Sequence, residues 1–354
     1  LSALPFRTAS LLVGLAVSFA ASLPDMAQAA DVSRLPALGL DAEHASVIGI
    51  SSGGYMANQM AVAWPSRFNS LGLVASGPWG CARGELILAL TQCMSTRLGA
   101  PDLEALDERW QAYRAHDLVG NATDRGKLRV FIWHGTEDSI ISSDVSDAQF
   151  RQWHYWLDSP QQQLKSVENV AEHGWPVAAA TADESLTNCT EGGAPWLLAC
   201  DRNLAREALD WWYPSAAAAV KNADAERGQL ISFDQHEFDA RGLATTGYLY
   251  VPESCETGDC SLVVVLHGCE MGPASDSGTV PDFVRLNGFN QQAEAQQLVV
   301  LYPQAASSLA NPKGCWDWWG FSESRWQIDP QQDSRDGRQL QALMAMVDRL
   351  QSAP

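Results

Sequence analysis

An α/β fold built on a mostly parallel sheet is predicted by three features of the chain. Short apolar runs alternate with helical stretches, the alternation of α/β proteins. One run, Ala45-Ser46-Val47-Ile48, leads into Gly49-Ile50-Ser51-Ser52-Gly53. That is a G-x-S-x-G sequence placed where a strand should turn sharply into a helix. Two other runs end in His-Gly pairs, His134-Gly135 and His267-Gly268.

The first strand carries the elbow. Gly49 and Gly53 allow strand and helix to approach while Ser51 occupies a strained turn that exposes its hydroxyl. Ser52 lacks that setting, because Ile50 and not glycine stands two residues before it. Residues 55–63 contain no glycine or proline and predict a buried helix that stops near Pro65. The positive end of that helix points at the turn. Strands are predicted over 71–75, 127–133 and 165–170, with helices over 144–157 and 202–212. Residues 216–224 read as a surface helix. Strands follow over 229–233, 247–251 and 262–266. A helix over 281–296 leads into a strand over 298–302, and an amphipathic helix runs from about 335 to 350.

The N-terminus has the form of a secretory leader. Arg7 precedes an apolar stretch over 9–17, and Ala27-Gln28-Ala29 suits signal peptidase. The apolar part is short for a membrane span. The expected organisation is a leader over 1–29 and one domain over 30–354, secreted or periplasmic. The net charge is −19, and removing the leader deletes Arg7 and Asp25 together, so it is unchanged. Such a charge argues against nucleic acid or an anionic membrane as partner. Eight cysteines suit an exported chain. Their spacing groups Cys81 with Cys93, Cys189 with Cys200, Cys255 with Cys260 and Cys269 with Cys315. No C-x-x-C occurs and no H-x-x-x-H accompanies them, so no metal is expected.

A serine nucleophile needs a base, and the base needs a carboxylate to hold its tautomer. With this elbow the chain order is Ser, then Asp, then His. Asp138, in the loop after the 127–133 strand, is the candidate acid, and its neighbour Glu137 is the competitor. His173, in the glycine- and proline-bearing loop over 171–176, is the candidate base. His44 belongs at the far end of the elbow strand. His116, His154 and His236 have ordinary polar surroundings, and His134 and His267 belong to strand ends. An oxyanion hole requires two backbone N–H donors. One belongs to Ser52 and the other to the loop after His267-Gly268. In the usual order that loop precedes the elbow, whereas here it follows by roughly 200 residues. The simplest explanation is a circularly permuted α/β-hydrolase fold, its leading strands moved to the C-terminal part of the chain; the alternative is two unrelated domains, with His267-Gly268 as an ordinary strand end.

These blocks resemble the poly(3-hydroxybutyrate) depolymerases with a circularly permuted catalytic domain of the single-domain fungal type. The resemblance rests on Gly49-Ile50-Ser51-Ser52-Gly53-Gly54-Tyr55-Met56-Ala57, Gly77-Pro78 with Cys81-Ala82-Arg83, and the Asp138 and His173 loops. It continues through Thr246–Pro252, Leu266-His267-Gly268-Cys269, Leu301–Ala305 and Gly314-Cys315-Trp316-Asp317-Trp318. It implies a disulfide-stabilised single domain and a serine esterase acting on a hydrophobic polyester or its oligomers. It further implies a triad of Ser51, Asp138 and His173, with the amides of Ser52 and Cys269 as the oxyanion hole. The four cysteine pairs become disulfides, no cofactor is required, and the protein is expected to be a monomer. Trp316, Trp318 and Trp319, with Phe321, follow Cys315, and a bond to Cys269 would bring them to the cleft. In an extended segment Trp316 and Trp318 share one side and Trp319 takes the other. Trp316, Trp318 and Trp319 are expected to form a substrate wall, with packing in the core as the alternative. Hydrolases of oxidised poly(vinyl alcohol) look similar. A non-catalytic polymer-binding protein using its 14 tryptophans is the alternative from another class, and the complete catalytic set argues against it.

Overall fold

Every residue of β1 (Ala45–Ile50) is buried, as a central parallel strand covered on both faces requires. It pairs in parallel with β2 (Phe68–Val74) on one side and β10 (Ser261–Leu266) on the other. Beyond β2 lie β3 (Arg129–Gly135) and β4 (Leu164–Asn169), also parallel. Beyond β10 lies β11 (Leu298–Tyr302), again parallel. The antiparallel strands β9 (Thr246–Val251) and β8 (Gln229–Asp234) complete that edge. The sheet order is β4-β3-β2-β1-β10-β11-β9-β8. Late strands thus occupy the side of the elbow strand that leading strands take in the unpermuted order, and the permuted α/β-hydrolase topology is realised.

The computed structural model describes residues 33–178, 185–214, 227–238, 241–255, 260–273, 279–322 and 330–354. The expected leader over 1–29 and the helix over 216–224 lie outside the described residues. Val32–Pro354 forms one compact unit. No helix among the described residues is long and apolar enough to cross a membrane.

Alternation along the strands divides the core into two layers. Val47, Leu71, Leu73, Val264 and Leu301 face one side. There they meet α1 (Ser52–Ala63), buried all round, and the C-terminal α6 (Arg338–Gln351). That helix buries Leu340, Leu343, Met346, Val347 and Leu350, the i, i+3, i+4 stripe of an amphipathic helix. Ile48, Ile50, Phe131, Trp133, Val263 and Val265 face the other side. Here they meet α3 (Leu204–Trp212), α4 (Asp282–Leu286) and α5 (Phe289–Gln296). The helix expected over 281–296 is therefore two helices. Gly288 has φ +93°, a conformation that cannot continue a helix, and Asn287 Oδ1 accepts from Phe289 N at 2.8 Å to start the second. Between β3 and β4 runs α2 (Ser143–Trp156), capped by the Ser142 hydroxyl accepting from Asp144 N.

A second, three-stranded sheet was not expected. It comprises β5 (Trp175–Val177), β6 (Thr187–Asn188) and β7 (Leu197–Ala199) in the order β5-β7-β6. The four cysteine pairs close as the spacing groups them. Cys81 is bonded to Cys93, Cys189 to Cys200, Cys255 to Cys260 and Cys269 to Cys315. None of the described cysteines is free. The Cys189 to Cys200 bond ties the residue that follows β6 to the residue that follows β7. The Cys255 to Cys260 bond closes the connection from β9 to β10. Cys269–Cys315 spans 46 residues, a loop whose closure in the unfolded chain corresponds to about 4 kcal/mol in the chain-entropy account.

Candidate active site

Ser51 is the whole turn between β1 and α1. Its φ of 54° and ψ of −122° lie where L residues are rarely found. The turn is held by Ser51 N donating to Val74 O at 2.9 Å and Tyr55 N donating to Ser51 O at 3.0 Å. The flanking glycines are sterically required. A Cβ on Gly49 would stand 2.2 Å from Gly53 O, and one on Gly53 would stand 2.3 Å from His267 O. Elbow, helix start and the end of β10 are thus in direct backbone contact.

The loops after β3 and β4 run side by side. Thr136 N donates to Asn169 O and Glu137 N to Ala171 O, each at 2.9 Å. The Glu172 carboxylate joins the loops again, accepting from Ser139 N at 3.2 Å and from His173 N. Nothing in the sequence singled out Glu172 for this. The lacing brings His173 Nδ1 to 2.8 Å from Asp138 Oδ2. Asp138 Oδ1 accepts from Ile140 N at 2.9 Å and Ile141 N at 2.7 Å. The Asp138 side chain is completely buried, so its charge is balanced by oriented donors and not by water. Glu137 is exposed. His134 Nδ1 lies 3.9 Å from Asp138 Oδ2, and burial pushes this imidazole below its ordinary range. His44, His116, His154 and His236 are exposed.

Ser51 and His173 open onto the same cavity, of about 430 Å³. Its walls are almost wholly apolar: Leu86, Ala89, Leu90 and Met94 on one side, with Ile140, Trp196, Met271, Trp318 and Trp319 around the rest. The Trp196 ring meets the His173 imidazole edge-on at 5.8 Å. Among the described residues, charge at the cavity is confined to Glu270 and Lys313, which pair with each other at 3.2 Å. Sequence reasoning missed the helical segment over 86–94. Its signal was the run Leu86-Ile87-Leu88-Ala89-Leu90 inside the Cys81–Cys93 loop. Gly268 and Cys269 also line the cavity, and a Cβ on Gly268 would stand 3.3 Å from Ser51 Cβ.

Trp316 corrects the expectation that it forms a substrate wall. It is fully buried, and its indole donates to His267 O at 2.9 Å. The segment is not extended. Trp318 N donates to Trp316 O at 3.1 Å, a tight three-residue turn, and Asp317 accepts from the N–H groups of Gly320, Phe321 and Ser322. Alternation is lost, and Trp318 and Trp319 both face the cavity. Trp318 is stacked on Tyr55 at 4.1 Å.

His267 lies fully buried behind this wall. Its Nδ1 is 2.7 Å from Gly268 O and its Nε2 accepts from Ala305 N at 3.0 Å. Burial pushes its pKa down to about 4, from about 6.5 in an unfolded chain. Between these values the unfolded state binds a proton that the folded state does not, so stability falls as pH drops through the window. The loss reaches about 3 kcal/mol below pH 4. Melting temperature should therefore fall less between pH 7 and pH 4.5 in His267→Gln than in the parent. Equal falls in both would contradict this origin of acid sensitivity.

Similarity to known proteins is consistent along the chain. An esterase family model matches residues 33–175. A poly(3-hydroxybutyrate) depolymerase of Delftia acidovorans is 35% identical over 90% of this chain, which spans 62% of that protein's length. A polyhydroxybutyrate depolymerase of Talaromyces funiculosus is 31% identical over 90% of this chain and 93% of its own length. The solved structure of a PHB depolymerase variant complexed with R3HB trimer superposes with a TM-score of 0.78 at 28% identity. It covers 90% of this chain and 98% of that one. At 31–35% identity over 90% of its residues, and with its fold shared at a TM-score of 0.78, the chain belongs to the poly(3-hydroxybutyrate) depolymerase family of carboxylic ester hydrolases.

Proposed function

We propose that this chain is an exported serine esterase that hydrolyses poly(3-hydroxybutyrate) or its oligomers through an acyl-enzyme. The observation that carries the reading is one apolar cavity onto which the strained Ser51 and the Asp138-bound His173 both open. Ser51 Oγ attacks the ester carbonyl carbon while His173 Nε2 takes its proton. Asp138 holds the Nδ1–H and stabilises the imidazolium. The carbonyl oxygen becomes an anion facing the amides of Ser52 and Cys269. Collapse breaks the C–O bond, and His173 returns the proton to the leaving alcohol. Water, deprotonated by His173, then attacks the acyl carbon, releasing the acid and restoring Ser51. Methyl-branched ester chains offer apolar area and no charge, which fits the cavity walls. The relatives' names support the same substrate. Four disulfides suit an oxidising compartment, and with them a leader over 1–29 ahead of a catalytic domain over 30–354.

Two incubations test this, one with amorphous poly(3-hydroxybutyrate) and one with oxidised poly(vinyl alcohol). Release of 3-hydroxybutyrate oligomers, blocked by a serine-directed phosphonate, is expected. Cleavage of the second polymer alone would move the substrate assignment, and cleavage of neither polymer nor p-nitrophenyl butyrate would sink the esterase reading. Trp319→Ala should lower oligoester hydrolysis about 10- to 100-fold, the equivalent of roughly 1.5–3 kcal/mol of apolar contact. Hydrolysis of p-nitrophenyl butyrate should change little. Equal losses on both substrates would place Trp319 in the packing and not in substrate binding.

A further inference from the structure

The two proposed oxyanion donors come from distant parts of the chain, and Trp316 is bonded to both segments. Its backbone N–H donates to Ser52 Oγ at 3.3 Å, and its indole Nε1–H donates to His267 O at 2.9 Å. Its ring lies against the His267 imidazole, with centroids 5.2 Å apart. His267 Nδ1 in turn bonds Gly268 O at 2.7 Å. Gly268 O and Cys269 N–H belong to one planar peptide and point in opposite directions. Fixing that oxygen therefore aims the N–H. A glycine at this hinge leaves the peptides on either side free to rotate unless bonds hold them. The Cys269–Cys315 disulfide joins side chains only, so it restrains the distance between the segments and leaves the peptide orientation to these hydrogen bonds and to the longer one that Met271 N donates to Gly268 O at 3.3 Å.

We infer that Trp316 is a positioning residue that sets the spacing and direction of the Ser52 and Cys269 amides, acting on the second through His267. The inference rests on the esterase reading above. Being fully buried, Trp316 contributes nothing to substrate contact. Oxyanion donors act only if they already stand about 2.7–3.1 Å from the developing charge, so loosening either segment weakens transition-state binding and leaves ground-state binding intact.

The test is Trp316→Phe, which keeps the ring and deletes the indole donor. On p-nitrophenyl butyrate, kcat should fall about 10- to 100-fold, less than or comparable to loss of a whole oxyanion donor, with KM unchanged. A trifluoromethyl ketone, whose serine adduct carries an oxyanion, should lose affinity by the same factor. Trp79→Phe is the packing control, because Trp79 is also buried and its indole bonds a backbone oxygen, Asp333 O at 3.1 Å. It should lower the melting temperature without changing kcat. If Trp316→Phe behaves like Trp79→Phe, with kcat and ketone affinity both kept, the inference is overturned. Should Trp316→Phe not fold, Ser52→Ala carries the test, since it removes the acceptor of the Trp316 backbone N–H and almost no volume. Parallel losses of kcat and ketone affinity support the inference, and no change in either overturns it. Ser51→Ala separates the two levels. Turnover surviving in that variant would sink Ser51 as the nucleophile and with it the site on which the inference rests, whereas a silent Ser51→Ala beside an unaffected Trp316→Phe would sink only the positioning role.

Discussion

Replacing Ser51 with alanine should cut turnover of p-nitrophenyl butyrate by about 10⁶-fold and leave the melting temperature nearly unchanged. The turn is held by the Ser51 backbone N–H and oxygen, both of which alanine retains. Its strained φ is carried by a residue with a Cβ in either case, so the strain is already balanced by the surrounding bonds. Only the hydroxyl is lost. Ser52→Ala is expected to be far milder, because the substitution keeps the proposed donor amide and removes only the hydroxyl that accepts from Trp316 N. A phosphonate probe should add one mass increment to the parent and to Ser52→Ala, and none to Ser51→Ala. Similar activity losses in the two variants, or labelled Ser51→Ala protein, would mean that the nucleophile is another residue.

The elbow was legible because its requirements are local. Gly49 and Gly53 are dictated by backbone contacts within a few residues or with one neighbouring strand, and they leave a fixed spacing in the sequence. The Asp138 and His173 loops were legible for a related reason, since each follows directly on a strand that the apolar pattern marks. Three kinds of feature were not. Glu172 acts by closing two loops whose proximity exists only once β3 and β4 pair. Strands of two or three residues, such as β6 and β7, are too short to display a period of two. The Trp316 error came from assuming an extended segment after Cys315. The turn closed by Trp318 N donating to Trp316 O breaks the alternation and leaves Trp318 and Trp319 on the cavity together, and no pattern in Trp316-Asp317-Trp318-Trp319 announces it. The helix over 281–296 failed similarly. Asn287-Gly288 was available as a breaker signal, but the apolar residues on both sides fit one continuous helix.

The second large effect is expected at Asp138. Asp138→Asn should lower kcat by roughly 10⁴-fold with little effect on folding, through the tautomer of His173. The carboxylate receives three donors: Ile140 N and Ile141 N on Oδ1, and His173 Nδ1 on Oδ2. An asparagine has one oxygen and one NH₂ group to meet them. With the oxygen toward the two backbone amides, the NH₂ group faces His173 Nδ1, which must then accept. The ring proton moves to Nε2, the nitrogen that should take the proton of Ser51, and the base is lost. The opposite orientation would set the NH₂ against two buried N–H donors, a buried mismatch costing on the order of 1–3 kcal/mol, so the inactive orientation is favoured. Asp138→Asn should thus show unchanged KM, a collapsed kcat and near-normal melting. Glu137→Gln, at an exposed position, should retain parent-like kcat. A kcat for Asp138→Asn within tenfold of the parent would show that His173 is held by another group, and His134, 3.9 Å from the same oxygen, would be the residue to exchange next.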